Sequence, residues 1–148
     1  MQMRTQTGLP ATTFFGRTYE EALDLVRQTR DYLRDFGAYE CALLDRIAGL
    51  AYSAESSRIT ARLTNLMAWL LLQRAVHQGE ISALEARAEA PELGRIKVCL
   101  EPACIEVERL PARLAELLDQ SERLYRRVMR LDEMIRRDVP ETAGAPLN

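Results

Sequence analysis

The chain has little of what most catalytic and metal-binding chemistry needs. Its 148 residues hold one histidine, three cysteines, one tryptophan and a single lysine, Lys97. With His77 alone, a Ser-His or Cys-His arrangement has only one imidazole to use. Three cysteines are too few for a disulfide framework. Seven glycines and six prolines, the prolines lying outside the long periodic stretches, favour an all-helical chain. No apolar run reaches the roughly 20 residues of a bilayer span, so no membrane segment is expected. Met1–Phe14 lacks the apolar core of a secretory signal. A cytoplasmic protein with free thiols is the expectation. Positive charge is almost all arginine, and the net charge of −2 draws the chain to neither nucleic acid nor anionic membrane.

What is present is helix. Ser53–His77 runs without proline or glycine, about 38 Å as a helix. Its centre, Leu63–Gln73, carries no charge and includes Met67, Trp69, Leu70, Leu71 and Leu72. Apolar residues round so much of the circumference need cover from several sides. This stretch is therefore expected to be the central helix of a bundle.

Residues 1–13 are polar and are expected to be flexible; Phe14 and Phe15 then pin the incoming chain onto the bundle. Thr18 and Glu21 have the spacing of a capping box, predicting a first helix from there with Leu23, Val26, Leu33 and Phe36 on its apolar stripe. Gly37 weakens that helix, Leu43, Leu44 and Ile47 let it resume, and Gly49 is the predicted break before helix two. Gly79 suits the left-handed residue that closes helix two. Ser82 and Glu85 form a second capping box, for a short helix that must stop before Pro91. Residues 91–102 read as an ordered connection, not a strand. The whole crossover of about 30 residues is long for a bundle. Pro111 suits the first turn of helix three. Leu114, Leu117, Ser121, Leu124, Val128, Leu131 and Ile135 then alternate in steps of three and four, a seam over three heptads. Val139-Pro140 is expected to stop it, leaving a flexible tail.

The expected organisation is thus all-α: a flexible segment 1–13, an up-down-up three-helix bundle over 14–137 with a long crossover before the last helix, and a tail over 138–148. Cys41, Cys99, Cys104 and His77 make a Cys₃His set on paper, but Cys99 and Cys104 have four residues between them and no tight knuckle supplies a second pair, so no metal is expected. His77 in a last helical turn suits the helix dipole. No glycine-rich phosphate loop exists and no catalytic or cofactor-binding residue is assigned. Arg58 and Arg62, four apart with Glu55 before them, admit two readings: a solvated face with a local ion pair, or an arginine-lined anion pocket like that of a chorismate mutase type of enzyme.

Four segments are similar to one family. Phe15-Gly-Arg-Thr-Tyr-Glu-Glu-Ala-Leu-Asp-Leu, Ala51-Tyr-Ser-Ala-Glu-Ser, Ala68-Trp-Leu-Leu-Leu-Gln-Arg-Ala-Val-His-Gln-Gly-Glu-Ile and Ser121-Glu-Arg-Leu-Tyr-Arg-Arg-Val, followed by Arg130-Leu-Asp, resemble the RcdA (regulator of CtrA degradation) family of alphaproteobacteria. The resemblance covers roughly 14–137 but carries nothing across 86–109, where Cys99 and Cys104 lie. It implies a commonly dimeric bundle without enzymatic activity: an adaptor for regulated proteolysis by ClpXP in the cell cycle. The partners it implies are ClpXP primed by a CpdR-type response regulator, a PopA-type effector, and cargo proteins. The polar faces of helices two and three, with the tail as a tether, form the expected interaction surface: Tyr52, Glu55, Arg58, Arg62 and Arg74, then Arg123, Arg126 and Arg127. A dimerisation module of other purpose is the alternative.

Overall fold

The computed structural model describes residues 9–138, with side chains from Phe14 onward. All regular structure among them is helical. Helix α1 (Leu9–Tyr32) passes through a π-helical turn, Leu33–Gly37, into the short α2 (Ala38–Ala42). Helix α3 (Arg46–His77) follows, about 48 Å long. The crossover carries α4 (Ala83–Glu89), α5 (Lys97–Leu100) and two 3₁₀ turns, Leu93–Arg95 and Val107–Arg109. Helix α6 (Ala112–Asp138) completes the described chain.

The first helix begins earlier than expected. Thr18 lies buried within α1, and its hydroxyl donates back to the Phe14 carbonyl (2.9 Å) instead of capping. Pro10 sits at the start of α1, where its missing N–H costs nothing. Phe14 and Phe15 are therefore helical, and Phe15 packs on Trp69 (5.8 Å between centroids) and His77 (4.9 Å). The core stripe of α1 is Thr18, Ala22, Leu25, Thr29 and Tyr32. Leu23, Val26 and Leu33 flank it, half-buried, while Phe36 is exposed. The break before α3 is the turn at Leu43–Asp45, not Gly49. There the Asp45 carboxylate accepts the Ala48 amide (2.8 Å) and caps α3, leaving Gly49 in its first turn.

At the far end of α3, Gly79 takes φ +75°, as expected of the closing residue. The Ser82–Glu85 capping box forms, with both of its hydrogen bonds present. Helix α4 stops ahead of Pro91, and Pro111 immediately precedes α6. The α6 seam is buried at Leu114, Leu117, Ser121, Leu124 and Val128 and half-buried at Leu131 and Ile135. Leu118, Tyr125 and Asp132 widen it. Helix α3 is indeed central, packed against α1, α2, α4, α5 and α6, although Leu71 stays half exposed. The expectations for residues 1–8 and for the tail from Val139 lie outside the described residues.

The topology differs from up-down-up. Phe15 lies beside His77 and Tyr32 beside Tyr52, so α1 and α3 are antiparallel. Ser121 lies at Arg62 and Asp132 at Trp69, so α6 runs parallel to α3. Alternation follows from short connections, and this connection is not short. It climbs back along α3, touching it at successively earlier residues: Val98 and Cys99 meet Arg58 and Arg62, Cys104 meets Glu55, and Arg109 meets Asp45 (3.5 Å). The crossover is long because it returns the length of a helix.

Candidate functional site

An irregular chain laid along a helix brings backbone carbonyls that need donors, and α3 supplies them from Arg58 and Arg62. Arg58 is buried; its Nη1 donates to the carbonyls of Val98 (2.6 Å) and Glu101 (2.9 Å), and its Nε to Glu55 Oε2 (2.9 Å). Glu55 Oε1 accepts the Cys104 amide (2.9 Å). Arg62 donates Nε to the Cys99 carbonyl (3.0 Å) and Nη1 to Leu118 O and Ser121 Oγ (both 3.2 Å). Helix α5 is one turn long and cannot satisfy its own last carbonyls. Two guanidinium forks do so, at the end of the helix dipole that favours cations.

A second set ties down the other half of the crossover. The buried Asp132 carboxylate accepts Trp69 Nε1 (2.8 Å), the Leu93 amide (3.1 Å) and Arg136 Nε (2.9 Å). Arg136 also donates to the carbonyls of Ala90 and Pro91 (3.2 Å each), and the Tyr125 hydroxyl donates to Leu93 O (2.5 Å).

The electrostatics match a holding role. Burial alone would push the Glu55 carboxyl up, but the Cys104 amide and Arg58 outweigh it and hold the carboxyl below its ordinary value. Burial pulls Arg62 down, and with its neutral oxygen partners it remains a cation. Burial pushes the Cys99 thiol up, and the Glu55 carboxylate does the same to Cys104, so neither is an activated nucleophile.

Residues 8–147 match the DUF1465 family, described as a protein of unknown function. Among curated proteins there is no match. The crystal structure of RcdA from Caulobacter crescentus CB15 is similar at 40% identity and TM-score 0.63, over 82% of this chain and 89% of that one. The chain belongs to the RcdA family.

The expected interaction surface divides in two in this RcdA-family chain. Tyr52, Glu55, Arg58 and Arg62 are buried: Tyr52 donates to the Tyr32 hydroxyl (3.0 Å), and the other three are the rungs that join α3 to the crossover. They form neither a solvated face nor an anion pocket: they are buried, and the guanidiniums of Arg58 and Arg62 bond Glu55, the crossover carbonyls and α6. Arg74, Arg123, Arg126 and Arg127 are exposed. Arg123 pairs with Asp119 (3.0 Å), Arg126 with Glu122 (3.0 Å), and Arg127 reaches Glu21 on α1. The Arg74 guanidinium lies 5.5 Å over the Tyr19 ring, at a recess of about 410 Å³ that Phe15, Glu20 and His77 also line. Cys41, Cys99, Cys104 and His77 are dispersed, and no group of three or more metal-binding side chains is placed together among the described residues. No described helix is long and apolar enough to cross a membrane.

Sequence reasoning missed the Asp132–Trp69–Arg136 set. A signal for it existed: Asp132 falls one position after Leu131 on a helix whose neighbouring stripe, Leu118 and Tyr125, is apolar at seven-residue spacing.

Proposed function

We propose that this protein is a non-enzymatic adaptor that promotes regulated proteolysis of cell-cycle regulators by ClpXP in the cytoplasm. The observation that carries the reading is the 40% identity to RcdA over 82% of the chain. It is supported by how the interior uses its polar groups: both buried networks hold the crossover to the bundle, and the two thiols with raised pKa are not activated. The partners in this reading are a ClpXP protease primed by a CpdR-type response regulator, a PopA-type effector, cargo proteins and a second copy of the chain. The contact surface then falls on the exposed arginines Arg74, Arg123, Arg126 and Arg127, with the residues after Asp138 as a tether.

A reconstituted degradation assay tests the proposal, with candidate cell-cycle cargo, ClpXP and the host's CpdR-type regulator. Cargo loss should accelerate only when the regulator and this protein are both present. Charge reversal of Arg123 and Arg127 should reduce the acceleration while the helical circular dichroism stays unchanged. Active protease with no acceleration for any cargo would remove the adaptor reading. A second reading, an interaction module of other purpose, is favoured by the exposed apolar residues at the α2–α3 elbow.

A further inference from the structure

Helix α3 keeps its charges inside. From Ser53 to Gln73 its charged residues, Glu55, Arg58 and Arg62, are all buried, and every exposed residue of that stretch is uncharged. The outward side carries a row that steps by four and three: Ser53, Ser57, Thr60, Thr64, Met67 and Leu71, about 27 Å long. Met67 is half-buried and the others are exposed. A helix face that meets only water is normally charged. Serine and threonine are weaker helix formers than Glu, Lys or Arg, so helix stability does not account for the row. Four-and-three stepping is the spacing at which one helix meets another. The hydroxyls of Ser53 and Thr60 donate back to the carbonyls of Gly49 (3.3 Å) and Ser56 (3.0 Å), so covering them strands no donor.

Helix α1 supplies a matching row, Tyr19, Leu23, Val26, Arg30 and Leu33, with the same stepping. The two rows face each other across one groove. Arg74 lies over Tyr19 at one end, and Val26, Leu33, Thr60 and Met67 line a recess of about 390 Å³ at the other. Helix α6 meets α1 at Glu21 and Gln28, and α3 at Arg62 and Trp69. Those residues sit roughly 170° round each helix from the rows. One side of the α1–α3 pair is therefore filled by α6, and the other is shaped for a further helix. Thr29, 5% exposed, lines the same recess, and its hydroxyl has no hydrogen-bond partner among the described residues. Such a hydroxyl destabilises the free chain. Threonine in a helix has two χ1 wells, so a rotation can turn the hydroxyl toward a docked helix.

We propose that this groove seats a helix of a partner protein: one with small or apolar residues at four-and-three spacing, a hydrogen-bonding side chain opposite Thr29, and acidic residues on its flanks. The sign of the flanks follows from the rim. Arg30 is paired with Asp31 (2.9 Å), but Arg27 and Arg74 are exposed and have no ion pair among the described residues, against the single carboxylate of Glu20 at the Arg74 end. The exposed side of α3 has no acidic residue from Ser53 to Gln78. A second copy would bring the same two cations, whereas an acid-flanked helix meets them with opposite charge. What the partner does rests on the adaptor reading above; the groove adds a seat for it on the side of the bundle away from α6.

The probe is a labelled synthetic helix of about three heptads, with Leu and Ala on the stripe, one Asn among them and Glu on the flanks, beside a twin with Lys flanks. Fluorescence anisotropy with the full chain should give a Kd below about 100 μM for the Glu helix and at least about 10-fold weaker binding for its twin. Ser57→Glu with Thr64→Glu should weaken the Glu helix at least about 10-fold with the helical signal unchanged. Thr29→Val should fold more stably yet bind about 3-fold more weakly, and Met134→Glu, on α6, should bind as wild type. In the degradation assay an excess of the Glu helix should suppress the acceleration. No binding, equal binding of the twins, or binding indifferent to both groove variants would overturn the groove. A groove variant that changes the sedimentation of the chain alone would give the face to a second copy and overturn the partner helix. Acceleration untouched by excess Glu helix and by the groove variants would overturn it as the adaptor's seat. Groove-dependent binding with no acceleration of any cargo would remove the adaptor reading and leave the groove standing.

Discussion

Arg62 offers the sharpest test of whether charged side chains hold the crossover. Its guanidinium, 2% exposed, donates to Cys99 O, Leu118 O and Ser121 Oγ. Hydrogen bonds to a charged group contribute about 1.5–3 kcal/mol each, but these three do not simply add. After Arg62→Ala, Ser121 Oγ still donates to Leu118 O at 2.9 Å, so those two atoms keep a partner. Cys99 O does not, and an orphaned buried acceptor costs about 1–3 kcal/mol. With the lost packing of the stem, the expected cost is about 3–5 kcal/mol, against 5–15 kcal/mol for a typical whole domain.

Arg62→Met separates charge from packing. The thioether keeps most of the stem's volume and carries no charge to desolvate, so its cost should be about 1–3 kcal/mol. Urea unfolding, followed by helical circular dichroism and by the fluorescence of Trp69, the single tryptophan, measures both variants. Arg62→Ala within about 1 kcal/mol of wild type would refute the rung. So would an Arg62→Met variant as stable as wild type, which would reduce the guanidinium to filler.

Three further outcomes follow from the buried polar groups. Asp132→Ala strands the Trp69 indole N–H and the Leu93 amide, so stability should fall by about 3–4 kcal/mol with a shifted Trp69 emission maximum; an unchanged emission would contradict the network. The Glu55 carboxyl is held below its ordinary 4.5, so its contribution is complete above that value and is lost as pH falls through the lower folded value; Glu55→Gln should be less stable at pH 7 and lose less between there and the acid limb, measured as the unfolding midpoint against pH. Thr29 Oγ1 is buried without a hydrogen-bond partner among the described residues, and Thr29→Val should raise stability by about 1 kcal/mol, a gain of about 2–6 °C in the thermal midpoint.

The long helices, the closing role of Gly79, the Ser82–Glu85 cap and the α6 seam were legible because each rests on local spacing. The start of α1 was not. Thr18-x-x-Glu21 satisfies the pattern of a cap, yet the same hydroxyl can bond back one turn inside a helix, and only the packing of Phe15 on Trp69 and His77 decides between them. The core stripe of α1 was displaced for a related reason. Ala22 and Thr29 are small or hydroxylated, and a reading that follows large apolar residues passes over them for Leu23 and Val26.

The rungs were misread although their spacing was in plain view. Glu55, Arg58, Arg62, Leu66, Trp69 and Gln73 step by three and four along one side of α3, so the charged residues prolong the apolar stripe instead of opposing it. A charged stretch that continues an apolar stripe is buried when something polar lies over it, and an irregular crossover is such a cover, because its carbonyls need donors. Topology then depends on the same contact. A chain pinned at Asp132, Arg62, Arg58, Glu55 and Asp45 in turn has climbed the whole of α3, and α6 must start where α3 started. The buried charges and the parallel course of α3 and α6 are therefore one feature. The exposed surfaces this arrangement does not use include the apolar elbow at one end and the arginines of α3 and α6 along the bundle.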